Sequence, residues 1–339
     1  MACDEPLNQL EKSADVSACG SFEIVRGFTK AKVDMYRLRM IVCILSISGF
    51  VTWDALGQDP KSTPKEKAPA GLRVGFMTYW QGETEIVIKA AGVENHRRVD
   101  AACAALHPLS FTQGGSKAVP ERARGALEKG DVDALLICMW ASYPPRWYGR
   151  VGDKSSLSEL ADLGAKNNKD FRILWHAFMM PMFDNPAVKG QSPTLNVKRS
   201  KESLNAERKQ LEVEVDGVNA RLGRRVACIV PVADAGLALM DEVAAGKFPG
   251  LKDPNELFPI PGEWAPGRQL IALAAYSHYA TLYRASPEGL DVPFGEFKFK
   301  PKGAPAEISL GRLTAAESAI LQRIAWETVS KYPYAGVAK

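Results

Sequence analysis

Four histidines, a loose cluster of tryptophans and one glycine turn are the residues here that could carry chemistry. His96, His107, His176 and His278 form neither an HxxH nor an HExxH pair, so no zinc site and no other metal centre is expected. His176, in LWHAFMMP near the end of an apolar run, is either an acid–base group or a half-buried core histidine whose nitrogens are satisfied internally. His278 lies within a long apolar segment, where packing is the expected role. Ser116, in FTQGGSKA, follows two glycines at a helix entry. Backbone amides there would suit an oxyanion, and the same residues suit an ordinary turn and N-cap. GxGxxG, the Walker P-loop and GxSxG are all absent, and no cofactor is expected.

The aromatics fall at the ends of apolar runs. Trp80 closes LRVGFMTYW, and Trp140 closes VDALLICMW just before Tyr143, Arg146, Trp147 and Tyr148. Trp264 sits in the loop NELFPIPGEWAPG. Flat rings beside Arg146 and Arg150 would bind a sugar ring bearing carboxylate or sulfate, because guanidinium groups clamp such oxyanions bidentately. The alternative is that each ring fills a gap between loop and core. A small-molecule or carbohydrate ligand is the expected partner.

These residues need elements to hold them. The runs 72–80, 132–140, 170–179 and 224–232 read as strands, and the second is continuous rather than alternating, as in parallel sheets covered on both faces. Helical patterns cover 120–130, 155–167, 198–222, 233–246 and 268–284. A last helix opens on the capping box Thr314–Glu317. The segment 291–312 shows no clear element and is expected to be a crossing loop. Strand–helix alternation predicts one doubly wound, three-layer α/β domain over 72–339, with a mostly parallel sheet. Strand carboxyl ends then share one edge, where the rings could line a common crevice.

Composition bounds the class. The 339 residues are 46% apolar and 24% charged, ordinary for a globular chain, and a formal charge of +4 with no basic stripe argues against nucleic-acid binding. Arg37 and Arg39 precede the apolar run Ile41–Trp53, and Ala55-Leu56-Gly57 follows. Residues 35–57 therefore read as a secretory signal peptide, too short for a membrane span of roughly 20 residues, with secretion or periplasmic export expected. Residues 1–34 read as an over-extended start, and 58–71 as a linker rich in Pro and Lys. Beyond them, Cys103, Cys138 and Cys228 show no zinc-like spacing. Cys138 and Cys228 lie in apolar runs, as buried free thiols or as a bridged pair.

Four segments carry a family resemblance: GDVDALLICMW, KNNKDFRILWHAFMMPMFD, GRRVACIVPVADAGLALMDEVAAGKFPGLKDPNELF and LIALAAYSHYATLYRASPEGL. With the closing LQRIAWETVSKYPYAGV they resemble the SGNH (GDSL-like) hydrolase superfamily, in its divergent secreted planctomycete-type branch, over about residues 72–336. The resemblance implies a flavodoxin-like α/β fold and ester hydrolysis, plausibly of acylated or sulfated carbohydrate. It would place a nucleophilic serine just after the first strand, where RVGFMTYWQGE has no serine and Thr78 is the nearest hydroxyl. It would draw an oxyanion-hole amide from Gly114 or Gly115, beside Ser116. Its histidine would stand in the loop FPIPGEWAPG, which holds Glu263 instead. Thr78 with Glu263 could supply nucleophile and base, although a carboxylate serves as such a base only when its pKa is raised. The other implied reading is a pseudoenzyme that binds carbohydrate without turning it over.

Overall fold

Five short strands, four of them largely apolar, form the central sheet. They are β1 (Arg73–Met77), β2 (Arg97–Val99), β3 (Ala134–Met139), β4 (Arg172–Ala177) and β5 (Ala227–Val230). All pair in parallel, in the order β2-β1-β3-β4-β5, with Phe76 beside Leu136, Leu136 beside Leu174, and Leu174 beside Cys228. The computed structural model describes residues 68–99, 118–139, 150–151, 154–177, 182–184, 194–259, 265–300 and 306–337. The chain divides into units Met1–Thr63 and Pro64–Lys339. The first unit, with the expected extended start and signal segment, lies outside the described residues.

Parallel strands need crossovers, and helices supply them. In order they are α1 (Gln81–Ala90), α2 (Ala118–Glu128), α3 (Ser156–Asn167), α4 (Val197–Leu222), α5 (Val232–Ala244), α6 (Arg268–Tyr283) and α7 (Ala315–Lys331). The two-residue period of each strand divides its side chains between two apolar clusters. Val74, Phe76, Leu136, Leu174 and Val230 pack with α1, α5, α6 and α7. Met77, Leu135, Ile137, Trp175 and Ile229 pack with α2, α3 and α4. The expected α/β class with a parallel sheet is observed.

Local chemistry sets the helix ends. The Asn196 side chain caps α4 by accepting from the Arg199 amide at 2.8 Å, and Gly223 stops it in the left-handed region at φ 64°. The capping box read at Thr314–Glu317 opens α7. At the amino edge of the sheet, Arg73 clamps Asp133 with Nε and Nη2 at 3.0 and 2.7 Å, joining the starts of β1 and β3. The long apolar segment forms α6, in which every residue from Gln269 to Tyr283 is buried.

One strand is unanticipated, one expected loop needs correction, and one open alternative is decided in favour of free thiols. β2 escapes a hydrophobicity reading because Arg97 and Arg98 are exposed, the charge being how an edge strand resists further pairing. The segment 291–312 is no plain crossing loop, since β6 (Phe297–Phe299) and β7 (Ile308–Gly311) pair antiparallel. Its FKF alternation buries Phe297 and exposes Lys298, a half-covered pattern too short to stand out. Cys138 and Cys228 are free and buried, and β4 runs between their strands. Two strand spacings separate them by about 9–10 Å, beyond the ~7 Å Cα limit of a disulfide. Among the described residues, no helix is long and apolar enough to cross a membrane.

A buried carboxylate ties the start of α6 to α7. Glu317 accepts from Arg268 Nη2 at 2.9 Å and Gln269 Nε2 at 3.1 Å, and its second oxygen accepts the Thr314 amide at 2.8 Å. Burial alone would raise its pKa, but these donors together hold it below the ordinary carboxylate value. Removing the carboxylate leaves Arg268 with the Leu310 carbonyl but no counter-charge, and Glu317→Ala should cost about 2–3 kcal/mol in urea unfolding at pH 7, after allowance for the partial exposure of Arg268. Thr314→Ala should cost about 1 kcal/mol. Because the folded pKa is depressed, the Glu317 contribution is complete above its ordinary value of 4.5 and is lost as pH falls through the folded pKa. The gap between the parent chain and Glu317→Ala should therefore narrow in acid.

Candidate functional site

Three adjacent strands end in polar side chains at the carboxyl edge of the sheet. Thr78 follows β1 directly, Cys138 is the penultimate residue of β3, and His176 is the penultimate residue of β4. Cys138 and His176 are register partners. β1 lies between β2 and β3, so successive crossovers leave it in opposite directions. Such a switch point is where open α/β sheets bind ligands. All three side chains are buried, as are His278 on α6 and Thr84 on α1.

These groups form a continuous chain of hydrogen bonds. Thr84 Oγ1 bonds the Trp80 carbonyl at 2.9 Å and His278 Nδ1 at 2.8 Å. His278 Nε2 meets His176 Nδ1 at 2.7 Å, and His176 Nδ1 lies 3.3 Å from Thr78 Oγ1. Thr78 also bonds the Cys138 thiol. Trp80 sits at the N-cap of α1 in the left-handed region, at φ 58° and ψ 37°. That conformation is uncommon for a bulky residue and costs on the order of 1–3 kcal/mol.

The partners fix the order of the protons. A carbonyl only accepts, so the Thr84 hydroxyl donates to Trp80. The Thr84 oxygen then accepts from His278 Nδ1–H, which leaves His278 Nε2 as an acceptor. His176 Nδ1–H donates to it. Thr78 is thus the longer, weaker neighbour of a nitrogen already committed at 2.7 Å. The reverse order would have Thr78 donate to His176, but it turns Thr84 away from the Trp80 carbonyl and leaves two oxygens facing at 2.9 Å.

Burial also fixes the charge. It drives the His176 pKa well below the ordinary 6.5, and the neighbouring His278 lowers it further. Burial lowers His278 to about 3. Both imidazoles are therefore neutral at neutral pH. The Cys138 thiol is pushed up to about 12 by burial, which outweighs the Thr78 bond, so it is no nucleophile there. The group can transfer a proton along its length or hold α1, α6 and the strand ends in register, and it offers no fixed charge. Among the described residues, no group of three His, Cys, Asp or Glu side chains could hold a metal ion.

Three of the site residues named from sequence come together. Thr78 and His176 are neighbours, and the Trp80 ring centroid lies 5.5 Å from that of His176, tilted by 39°. Glu263, Trp264, Gly114, Gly115, Ser116, Trp140, Arg146, Trp147 and Tyr148 lie outside the described residues. His176 is fully buried rather than half-buried. His278 corrects a simple packing role, because both of its ring nitrogens are hydrogen-bonded. Sequence reasoning missed Thr84, His278 and Cys138 as one cluster. The available signal was a histidine in an otherwise apolar helix, which must find buried polar partners.

Neutral buried histidines leave a signature in stability. The unfolded chain takes up protons near pH 6.5 and the folded chain does not, so stability is complete above that pH and falls as acid is added. The two groups should together cost roughly 2–3 kcal/mol per pH unit between about pH 6 and pH 5, before most carboxylates titrate. Urea unfolding across this range should show that slope, and His278→Gln should roughly halve it. A flat profile would contradict the neutral assignment. Compared with protein-family models, with curated proteins and with solved structures, the chain matches none of them.

Proposed function

We propose that this is a secreted, SGNH-hydrolase-like protein with a flavodoxin-like three-layer domain, descended from ester hydrolases and now holding a carbohydrate ligand rather than cleaving it. The observation that carries the reading is the 2.7 Å bond between His176 Nδ1 and His278 Nε2. It engages the imidazole nitrogen that faces Thr78, so the hydroxyl nearest the end of β1 has no ready base there. A β-branched, buried threonine is also a poorer nucleophile than an exposed serine. The strand order and the placement of Thr78 at the carboxyl end of β1 support the hydrolase ancestry. Trp80, strained and tilted against His176, supports a ring-binding crevice at that edge. Trp140, Arg146, Trp147, Tyr148 and Trp264 would complete it, and an acylated or sulfated sugar is the ligand class they suit. The apolar run 41–53 behind Arg37 and Arg39 supports export.

A second reading, ester hydrolysis by Thr78 with His176 or Glu263 as base, is favoured by the 3.3 Å contact between Thr78 and His176. A panel of acyl esters and acetylated or sulfated oligosaccharides separates the two. The full chain should give no ester turnover above buffer, while a sulfated or acetylated oligosaccharide should quench its tryptophan fluorescence saturably. Turnover that disappears in both Thr78→Val and His176→Gln would establish the hydrolase reading instead. Neither turnover nor binding would remove both. For export, N-terminal sequencing of secreted protein should begin at Gln58, and an intact Met1 would overturn that assignment.

A further inference from the structure

The opposite, amino edge of the sheet carries an unneutralised basic cleft. A hollow of about 440 Å³ opens there, within the roughly 300–1,000 Å³ range of small-ligand sites. Lys169, Arg172, Arg224, Arg225 and Arg284 line it, with Asp170 as the single acid in the lining. Among the described residues, none of these five cations makes an ion pair. Elsewhere the chain pairs its arginines readily: Arg73, Arg208, Arg221, Arg268 and Arg323 each meet a carboxylate.

Part of the charge is met internally. Arg172 Nη2 donates to the Leu282 carbonyl at 2.6 Å, at the C-terminal end of α6. A helix end contributes only about half an elementary charge. Arg224 reaches the Phe171 carbonyl at 3.3 Å. Lys169, Arg225 and Arg284 are exposed. Arg284 is held by a left-handed backbone, at φ 54° and ψ 36°, directly after α6. Two strand starts and a helix end thus bring like charges to one hollow, an arrangement that costs repulsion unless an anion is present.

We propose that this cleft binds a small, multiply charged anion of the phosphate or sulfate class. Planar guanidinium forks match two oxygens of a tetrahedral oxyanion at once. Several such forks around one hollow favour a ligand with more than one negative charge, such as a pyrophosphate-like group or a doubly substituted sugar. The state of Arg172 agrees: burial, and then Arg284 facing it, pull its guanidinium below its ordinary pKa. The site is independent of the carboxyl-edge cluster, lying at the other ends of the same strands.

Calorimetric titration of the full chain with pyrophosphate, at constant ionic strength, tests the assignment, with inorganic phosphate, sulfate and citrate as further arms. Saturable binding of pyrophosphate tighter than about 1 mM is expected. Arg225→Gln and Arg284→Asn should each weaken it at least tenfold, the asparagine tolerating the left-handed backbone. Lys209→Gln, exposed on α4 outside the cleft, should leave it unchanged. Thermal unfolding of each variant confirms that it is folded. No saturable binding, binding indifferent to both arginine substitutions, or citrate binding as tightly as pyrophosphate would overturn the proposal.

Discussion

A helix that is apolar all round must be enclosed on every side, and each polar group on it must find its partner inside the protein. Helix α6 meets that constraint, and much of the described structure follows from it. The sheet, α1, α5 and α7 enclose it. Its first turn takes Glu317 from α7 as a shared acceptor. Tyr276 bonds Ser318 at 2.6 Å, and Ser277 and Thr281 donate to carbonyls one turn back. His278 reaches through to the sheet, and it draws His176 and Thr84 into a single chain. Its last carbonyls hold Arg172.

The two ends of the sheet therefore differ in electrostatic character for the same reason. At the carboxyl edge, complete burial expels charge: two imidazoles stay neutral and a thiol stays protonated. A neutral relay costs little desolvation and tolerates close packing, and it also removes the poised base that a hydroxyl nucleophile needs. At the amino edge, solvent reaches the side chains, and charge persists there. Cations gather because strand starts and a helix end converge on one hollow. One edge is arranged around shared protons and the other around unshared charge.

Much of the scaffold could be read directly. The runs around β1, β3, β4 and β5 are nearly uninterrupted in apolar residues, which marks strands covered on both faces. Capping residues Thr314 and Glu317 and the stop at Gly223 are local signals, decided within one turn of helix. β2 and the β6–β7 ladder were not legible, because short strands with charged outer faces carry too few apolar positions to show a period. Thr78 and His176 could be named as candidates, but nothing in the sequence links residues 98 positions apart.

What the sequence determined by itself was therefore the α/β class, the buried helix and the types of residue available for chemistry. These depend on period and composition, which are properties of neighbours along the chain. Only the tertiary structure decided the rest: that His278 is a hydrogen-bonding partner rather than packing, that Cys138 and Cys228 are separated by a strand, and that five basic residues share one cleft. Proton order, pKa and charge density depend on distances across the fold. They exist only once strand order has set which residues meet.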